Sequence, residues 1–258
     1  MKKRVAKRGA VRRAAGGPVA AAFSTVLFLT LLCGAAPAAF AESVQLEYLL
    51  TLPEPFDPEQ KYPALLALPP GPQDEAMVEI ADRAYWSHGR IRGWIVVSPI
   101  APGGKLFFDG SERLIPSLLG ELLENYPIEA GRFHVGGISN GGIAAFRVSE
   151  NNPELFCSVL VLPGLPGNEN DFARLDRIRH LPVDMMVGEL DERWVARMRE
   201  TEARLRELEA EVSLRVLPGV GHMISRSVSA SLLFDRLEAK REGCRDAAAG
   251  EKPRKENP

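Results

Sequence analysis

Gly136-Gly137-Ile138-Ser139-Asn140-Gly141-Gly142 is the stretch from which the rest of the chain is read. Ahead of it, Arg132-Phe133-His134-Val135 has the make-up of a short buried strand, and Ile143 to Val148 after it begins a helix. Strand, Gly-x-Ser-x-Gly, helix is the context in which a serine is carried at the apex of a sharp turn. Neighbours without a Cβ let strand and helix approach closely, and the serine takes a strained backbone. Its hydroxyl is then left clear of the sheet, with the Asn140 amide pointing into the same space. The pentapeptide alone also arises in plain glycine turns. The strand and helix around it are what mark Ser139 as a candidate nucleophile.

Outward from this turn the chain alternates buried runs with helical stretches. Val44 to Leu49 alternates apolar and polar residues, as an edge strand does. Pro63-Ala64-Leu65-Leu66-Ala67-Leu68 is a continuous apolar run stopped by Pro69-Pro70-Gly71-Pro72. Further buried strands are expected at Gly93–Ser98, Cys157–Leu162, Val183–Gly188 and Val212–Leu217. Helices are expected over Asp74–His88 (Met77, Ile80, Ala81 and Ala84 inward), Leu114–Tyr126, Glu192–Ala210 and Ser225–Lys240. Buried strands alternating with such helices predict an α/β fold, a doubly wound, mostly parallel sheet. Gly167 to His180 is long enough for one short helix, so no separate lid domain is expected.

In such a sheet, chemistry gathers beyond the carboxyl ends of the strands. One strand end offers Ser139, the next Gly188-Glu189-Leu190-Asp191, and the last Pro218-Gly219-Val220-Gly221-His222. A serine hydroxyl needs an imidazole to take its proton, and the imidazole needs a carboxylate to fix its tautomer. Ser139, Asp191 and His222 supply the three in that chain order. Each has a plainer reading. Asp191 competes with Glu189 and Glu192 and can cap the helix that follows it. Of the four histidines, His88, His134 and His180 read as structural. Asp184 begins its strand and so belongs to the opposite edge.

Length and charge set the boundaries. Of 258 residues, 1–41 carry a basic head, an apolar run from Val19 to Leu32 and an Ala39-Phe40-Ala41 end, the three parts of a secretory signal peptide. Arg12-Arg13 leaves the choice between general and twin-arginine export open. The folded domain is expected over 42–242 and a disordered tail over 243–258. The signal holds seven of the 32 basic residues and none of the 34 acidic ones, leaving 25 basic and a net charge of −9. That argues against nucleic acid or an anionic membrane as a partner, and no stable membrane insertion is expected after cleavage. Cys157 and Cys244 remain after cleavage, either as a disulfide or as buried thiols. The spacing offers no metal site, and no cofactor is expected.

The elbow residues and the order Ser139, Asp191, His222 resemble the α/β-hydrolase superfamily, most closely secreted esterases of the polyhydroxybutyrate depolymerase, feruloyl esterase and dienelactone hydrolase kind. The resemblance runs from about Tyr62 to Lys240. It implies a serine hydrolase of small or polymer-borne esters, with Ser139 as nucleophile, Asp191 as acid and His222 as base. An exported peptidase of the prolyl-oligopeptidase type and a catalytically silent binding scaffold are the alternatives. One departure stands out. The loop that usually completes the oxyanion hole reads Pro69-Pro70-Gly71-Pro72-Gln73, and Pro72 has no N–H to give. Asn140 is the expected first donor, and Gln73 or Gly71 the expected second. Phe107, Phe108 and Trp194 are expected to border an open substrate pocket, with no basic cluster marking an anionic subsite.

Overall fold

A computed structural model describes residues 46–250, with side chains to 246. The apolar runs form seven strands: β1 (Tyr48–Thr51), β2 (Ala64–Leu68), β3 (Ile95–Pro99), β4 (Phe133–Gly137), β5 (Phe156–Val161), β6 (Val183–Gly188) and β7 (Val212–Leu217). Their order across the sheet is β1-β3-β2-β4-β5-β6-β7. Only β1 is antiparallel to its neighbour. The chain crosses from β2 to β3 on one side and then from β3 back to β4 on the other. The crevice where ligands sit in such sheets therefore opens between the ends of β2 and β4.

Both sheet faces are covered, which is why the central strands read as continuous hydrophobic runs. Leu66, Leu68, Val97, Val135 and Val161 point into one core with Leu119, Phe146, Met198 and Leu205. Leu65, Ala67, Val96, Leu160 and Met186 point into the other with Trp86, Trp94 and Phe234. The first core lies under helices α2 (Ile115–Asn125), α3 (Asn140–Asn151) and α5 (Glu192–Glu207); the second lies under α1 (Glu75–Ala81) and α6 (Ala230–Ala239). Between β5 and β6 there is one five-residue helix, α4 (Glu169–Ala173), and a 3-10 turn over Leu175–Ile178. No larger element intervenes there among the described residues.

Two expectations about the helices are corrected. Asp74 caps α1 by accepting the Met77 N–H at 3.0 Å, but the buried face is Val78 and Ala81. It continues as Tyr85 and Trp86 through a π-helical stretch (Asp82–Trp86), while Ile80 is exposed. At the other end, Arg241–Gly250 is helix α7, where a disordered tail was expected from 243. Three ties account for it. Cys157 of β5 is disulfide-bonded to Cys244, and Arg241 and Arg245 both bond to Glu129. Burial raises the Glu129 carboxyl, but the two guanidiniums outweigh it and hold its pKa below the ordinary value. The expected signal peptide (1–41) and residues 251–258 lie outside the described residues.

His134 is structural. It is buried in β4, its Nδ1 sits 2.7 Å from Ser158 Oγ, and its ring meets Trp94 edge-on. Burial pushes its pKa down to about 4. Asp184 bonds Ser213 at the start of its strand, away from the crevice.

Candidate active site

The turn after β4 is built by close approach. A Cβ on Gly141 would lie 2.1 Å from the Leu68 carbonyl oxygen, and one on Gly142 would lie 2.2 Å from that of Pro163. Helix α3 therefore starts pressed against the chain leaving β2 and the chain leaving β5. Ser139, between them, is held at φ 55°, ψ −116°. That conformation is costly for a residue with a side chain, and the surrounding contacts maintain it. Ser139 donates its N–H to the Pro163 carbonyl at 2.9 Å.

The three expected side chains meet above this rim. His222 Nε2 lies 2.9 Å from Ser139 Oγ, and His222 Nδ1 lies 2.5 Å from Asp191 Oδ2. Asp191 precedes α5 but makes no side-chain capping bond, so its carboxylate is free for the imidazole. Its rival Glu189 is committed elsewhere, accepting the Gly219 N–H at 2.8 Å. The Asp191 loop is joined to the His222 loop by the Leu190 N–H bonded to the Val220 carbonyl, which fixes the acid–base distance. The His222 side chain is 35% exposed and that of Asp191 15%, so a substrate can reach the imidazole edge while the carboxylate is screened. Such an arrangement can draw the proton from Oγ and stabilise the imidazolium that results.

The oxyanion side differs from expectation. Gln73 is fully buried at φ 57°. Its N–H closes a turn to the Pro70 carbonyl at 3.1 Å. Its side chain donates to the Pro69 carbonyl at 3.2 Å and accepts the Phe107 N–H at 2.7 Å. Both amides of Gln73 are thus spent on holding loops together, and it is not placed as an oxyanion donor. Gly71, at φ 57° in the same turn, remains. Its carbonyl accepts from Asn140 Nδ2 at 2.9 Å, so its peptide lies against the residue that follows Ser139. Among the described residues, the backbone N–H groups of Asn140 and Gly71 make no hydrogen bond.

Of the expected pocket residues, Trp194 borders the triad, its ring centroid 5.2 Å from that of His222. Phe107 is completely buried, and Phe108 packs partly buried against the core. The loop after β3 turns Phe107 inward, and its amide is held by Gln73. Trp194 instead shares a cleft of about 270 Å³ with Ile143, Leu165, Gly167, Arg193 and Arg197. The two arginines were missed in the sequence; their i, i+4 spacing beside Trp194 was the available signal. Leu190 (65% exposed) and Met223 (57% exposed) flank Asp191 and His222 and give the rim an apolar edge.

Beneath the cleft, Arg147 donates from Nη2 to Asp171 Oδ2 at 2.7 Å and brings Nε to 2.7 Å from Oδ1 as an ion pair, and Arg174 meets the same carboxylate at 2.8 Å. Glu150 is buried behind them with Arg174 at 3.6 Å, too long for a hydrogen bond. Burial first, and then the Asp171 charge, push the Glu150 pKa up to about 9. Among the described residues, the only cluster with metal-ligand chemistry is His134, Cys157 and Cys244. There the two sulfurs are bonded to each other.

No family model matches the chain, and no curated protein matches it. Solved structures do. A thermostable esterase superimposes with TM-score 0.61 at 19% identity, covering 77% of this chain and 58% of its own. A ferulic acid esterase from Anaeromyces mucronatus, solved with ferulic acid, matches with TM-score 0.57 at 18% identity over 73% of this chain and 83% of its own. An S-formylglutathione hydrolase from Agrobacterium tumefaciens matches with TM-score 0.57 at 15% identity over 76% and 89%. The chain therefore spans a little over half of the first of these and most of the other two. With the sheet order above, these likenesses identify the α/β-hydrolase fold. No described helix is long and apolar enough to cross a membrane.

Proposed function

We propose that this chain is an exported serine hydrolase that cleaves carboxylic esters through an acyl-enzyme on Ser139. The observation that carries the reading is the Oγ–Nε2 contact of 2.9 Å continued by Nδ1–Oδ2 at 2.5 Å. His222 takes the Ser139 proton as Oγ attacks the ester carbonyl and then gives that proton to the departing alcohol oxygen. Water next enters, loses a proton to the same nitrogen and releases the acid. Asp191 holds the imidazole with Nε2 toward the serine throughout. The backbone amides of Asn140 and Gly71 are the donors that face the developing oxyanion in this reading. Export is supported by the Cys157–Cys244 disulfide, a bond that oxidising compartments preserve.

Esters are favoured over peptides because the rim beside Asp191 and His222 carries the apolar side chains Leu190, Trp194 and Met223. A panel of short-chain nitrophenyl esters beside matched peptide nitroanilides tests this choice. The reading expects ester turnover that vanishes in Ser139→Ala. Amide turnover exceeding that of the esters would move the assignment to a peptidase. Turnover of neither by folded protein would leave a binding scaffold.

A further inference from the structure

Arg193 and Arg197 sit one turn apart on α5 and both line the cleft of Trp194, whose ring also lies 5.2 Å from that of His222. Residues spaced i, i+4 lie on the same side of a helix. Further along the same helix Arg204 pairs with Glu207 and Arg206 with Glu202, while Arg199 has no ion pair among the described residues. Among the described residues, Arg193 and Arg197 have no ion pair. Two of the carboxylates near them in sequence are occupied, Glu189 with the Gly219 amide and Asp191 with His222, and the other two, Glu192 and Glu200, form no ion pair with either arginine. Asp171, just behind Gly167 at the cleft floor, is already matched by Arg147 and Arg174. Arg197 is oriented over the cleft wall, its Nη2 3.5 Å from the Pro166 carbonyl. The cleft thus pairs an apolar lining (Ile143, Leu165, Trp194) with two uncompensated guanidiniums, in a chain whose overall charge is negative.

Resting on the hydrolase reading above, we propose that Arg193 and Arg197 form a carboxylate subsite. It would select esters that carry a free carboxylate at the end away from the scissile bond. The guanidinium fork matches a carboxylate bidentately, and walls of low polarity strengthen the attraction. The Ile143 and Trp194 surfaces take the apolar stem between carboxylate and ester. Ile143 begins one turn beyond Ser139, its N–H bonded to the Ser139 carbonyl at 3.1 Å. Trp194 lies against the base. A molecule spanning the cleft would therefore present its ester to the triad.

The test compares charged and neutral esters of equal length in two pairs. The 4-nitrophenyl half-ester of glutaric acid against 4-nitrophenyl pentanoate places the charge on the acyl side. 4-Carboxyphenyl butanoate against phenyl butanoate places it on the alcohol side. The readout is the charged-to-neutral ratio of kcat/KM in the wild type and in R193Q/R197Q. A charge-assisted contact of this kind is worth about ten- to a hundred-fold. The ratio is expected to fall by that factor in one pair, mainly through KM, and the pair affected identifies the side. A ratio that changes less than about twofold in both pairs overturns the proposal. Calorimetric titration of the glutarate half-ester into Ser139→Ala separates this from failure of the hydrolase reading. Binding that is present there and lost when R193Q/R197Q is added supports the subsite even if turnover is never seen. Binding that is absent, or indifferent to the arginines, refutes it.

Discussion

Gln73→Ala separates a scaffold from an oxyanion donor. In the fold, this side chain is wholly buried and makes two hydrogen bonds, to the Pro69 carbonyl at 3.2 Å and from the Phe107 N–H at 2.7 Å. Truncation leaves a buried amide donor unsatisfied, at about 1–3 kcal/mol, and loses the weaker bond, at about 0.5–1.5 kcal/mol. The expected loss is therefore about 2–4 kcal/mol. A domain of this size loses roughly 2–4 °C in Tm per kcal/mol, so melting should fall by about 5–15 °C. Gly71 keeps its tie to Asn140 Nδ2, which does not involve residue 73, so turnover in the folded variant should drop by less than about tenfold. A donor to the oxyanion behaves in the opposite way, with a loss of about 10²–10³ in kcat. The assay is calorimetric melting beside nitrophenyl ester kinetics well below the melting temperature. Unchanged Tm with a hundredfold loss of kcat would refute the scaffold role.

Other outcomes follow from the same contacts. Asp191→Asn should lower kcat by about 10⁴, because an amide no longer selects the tautomer with Nε2 toward Ser139 and both neighbouring acids lie outside the triad; ester turnover within tenfold of wild type contradicts the placement. Glu150, at about 9 in the fold, holds its proton where the unfolded chain has lost it, so folding takes up a proton between its ordinary value of 4.5 and about 9. Wild-type stability should fall across that window by up to about 1.4 kcal/mol per pH unit, and Glu150→Gln should flatten the slope. Urea unfolding at several pH values measures this, and parallel curves would mean that Glu150 is ionised beside Arg174. Reducing the Cys157–Cys244 bond, which closes a loop of 87 residues, should cost up to about 4–5 kcal/mol in denaturant unfolding. No shift on reduction would mean that the bond does not form in the purified protein.

What could be read from the sequence is what depends on near neighbours. Buried strands announce themselves as unbroken apolar runs, and a strand that ends in Gly-x-Ser-x-Gly carries its own geometry. Asp191 and His222 were legible because each follows such a run by a few residues, and parallel strands bring their carboxyl ends to one edge. What escaped depends on partners far along the chain. Gln73 looked like a spare amide because its partner Phe107 lies 34 residues away. Phe107 looked exposed for the same reason. The tail looked disordered because Glu129, the acid that Arg241 and Arg245 share, lies more than a hundred residues earlier. Ile80 was placed inward by choosing the wrong face of the helix, whose buried positions within α1 are Val78 and Ala81. Arg193 and Arg197 escaped because the cleft they line is completed by Leu165 and Gly167, on the chain after β5.

The central claim is that Ser139 is an activated nucleophile, and covalent capture tests it most directly. The folded protein is exposed to a fluorophosphonate, and intact-mass and peptide mass spectrometry then locate the adduct. The account predicts one adduct per chain on the peptide containing Ser139, absent in Ser139→Ala and much slowed in His222→Ala. A folded wild type that stays unlabelled, or that is labelled equally well without His222, would contradict it.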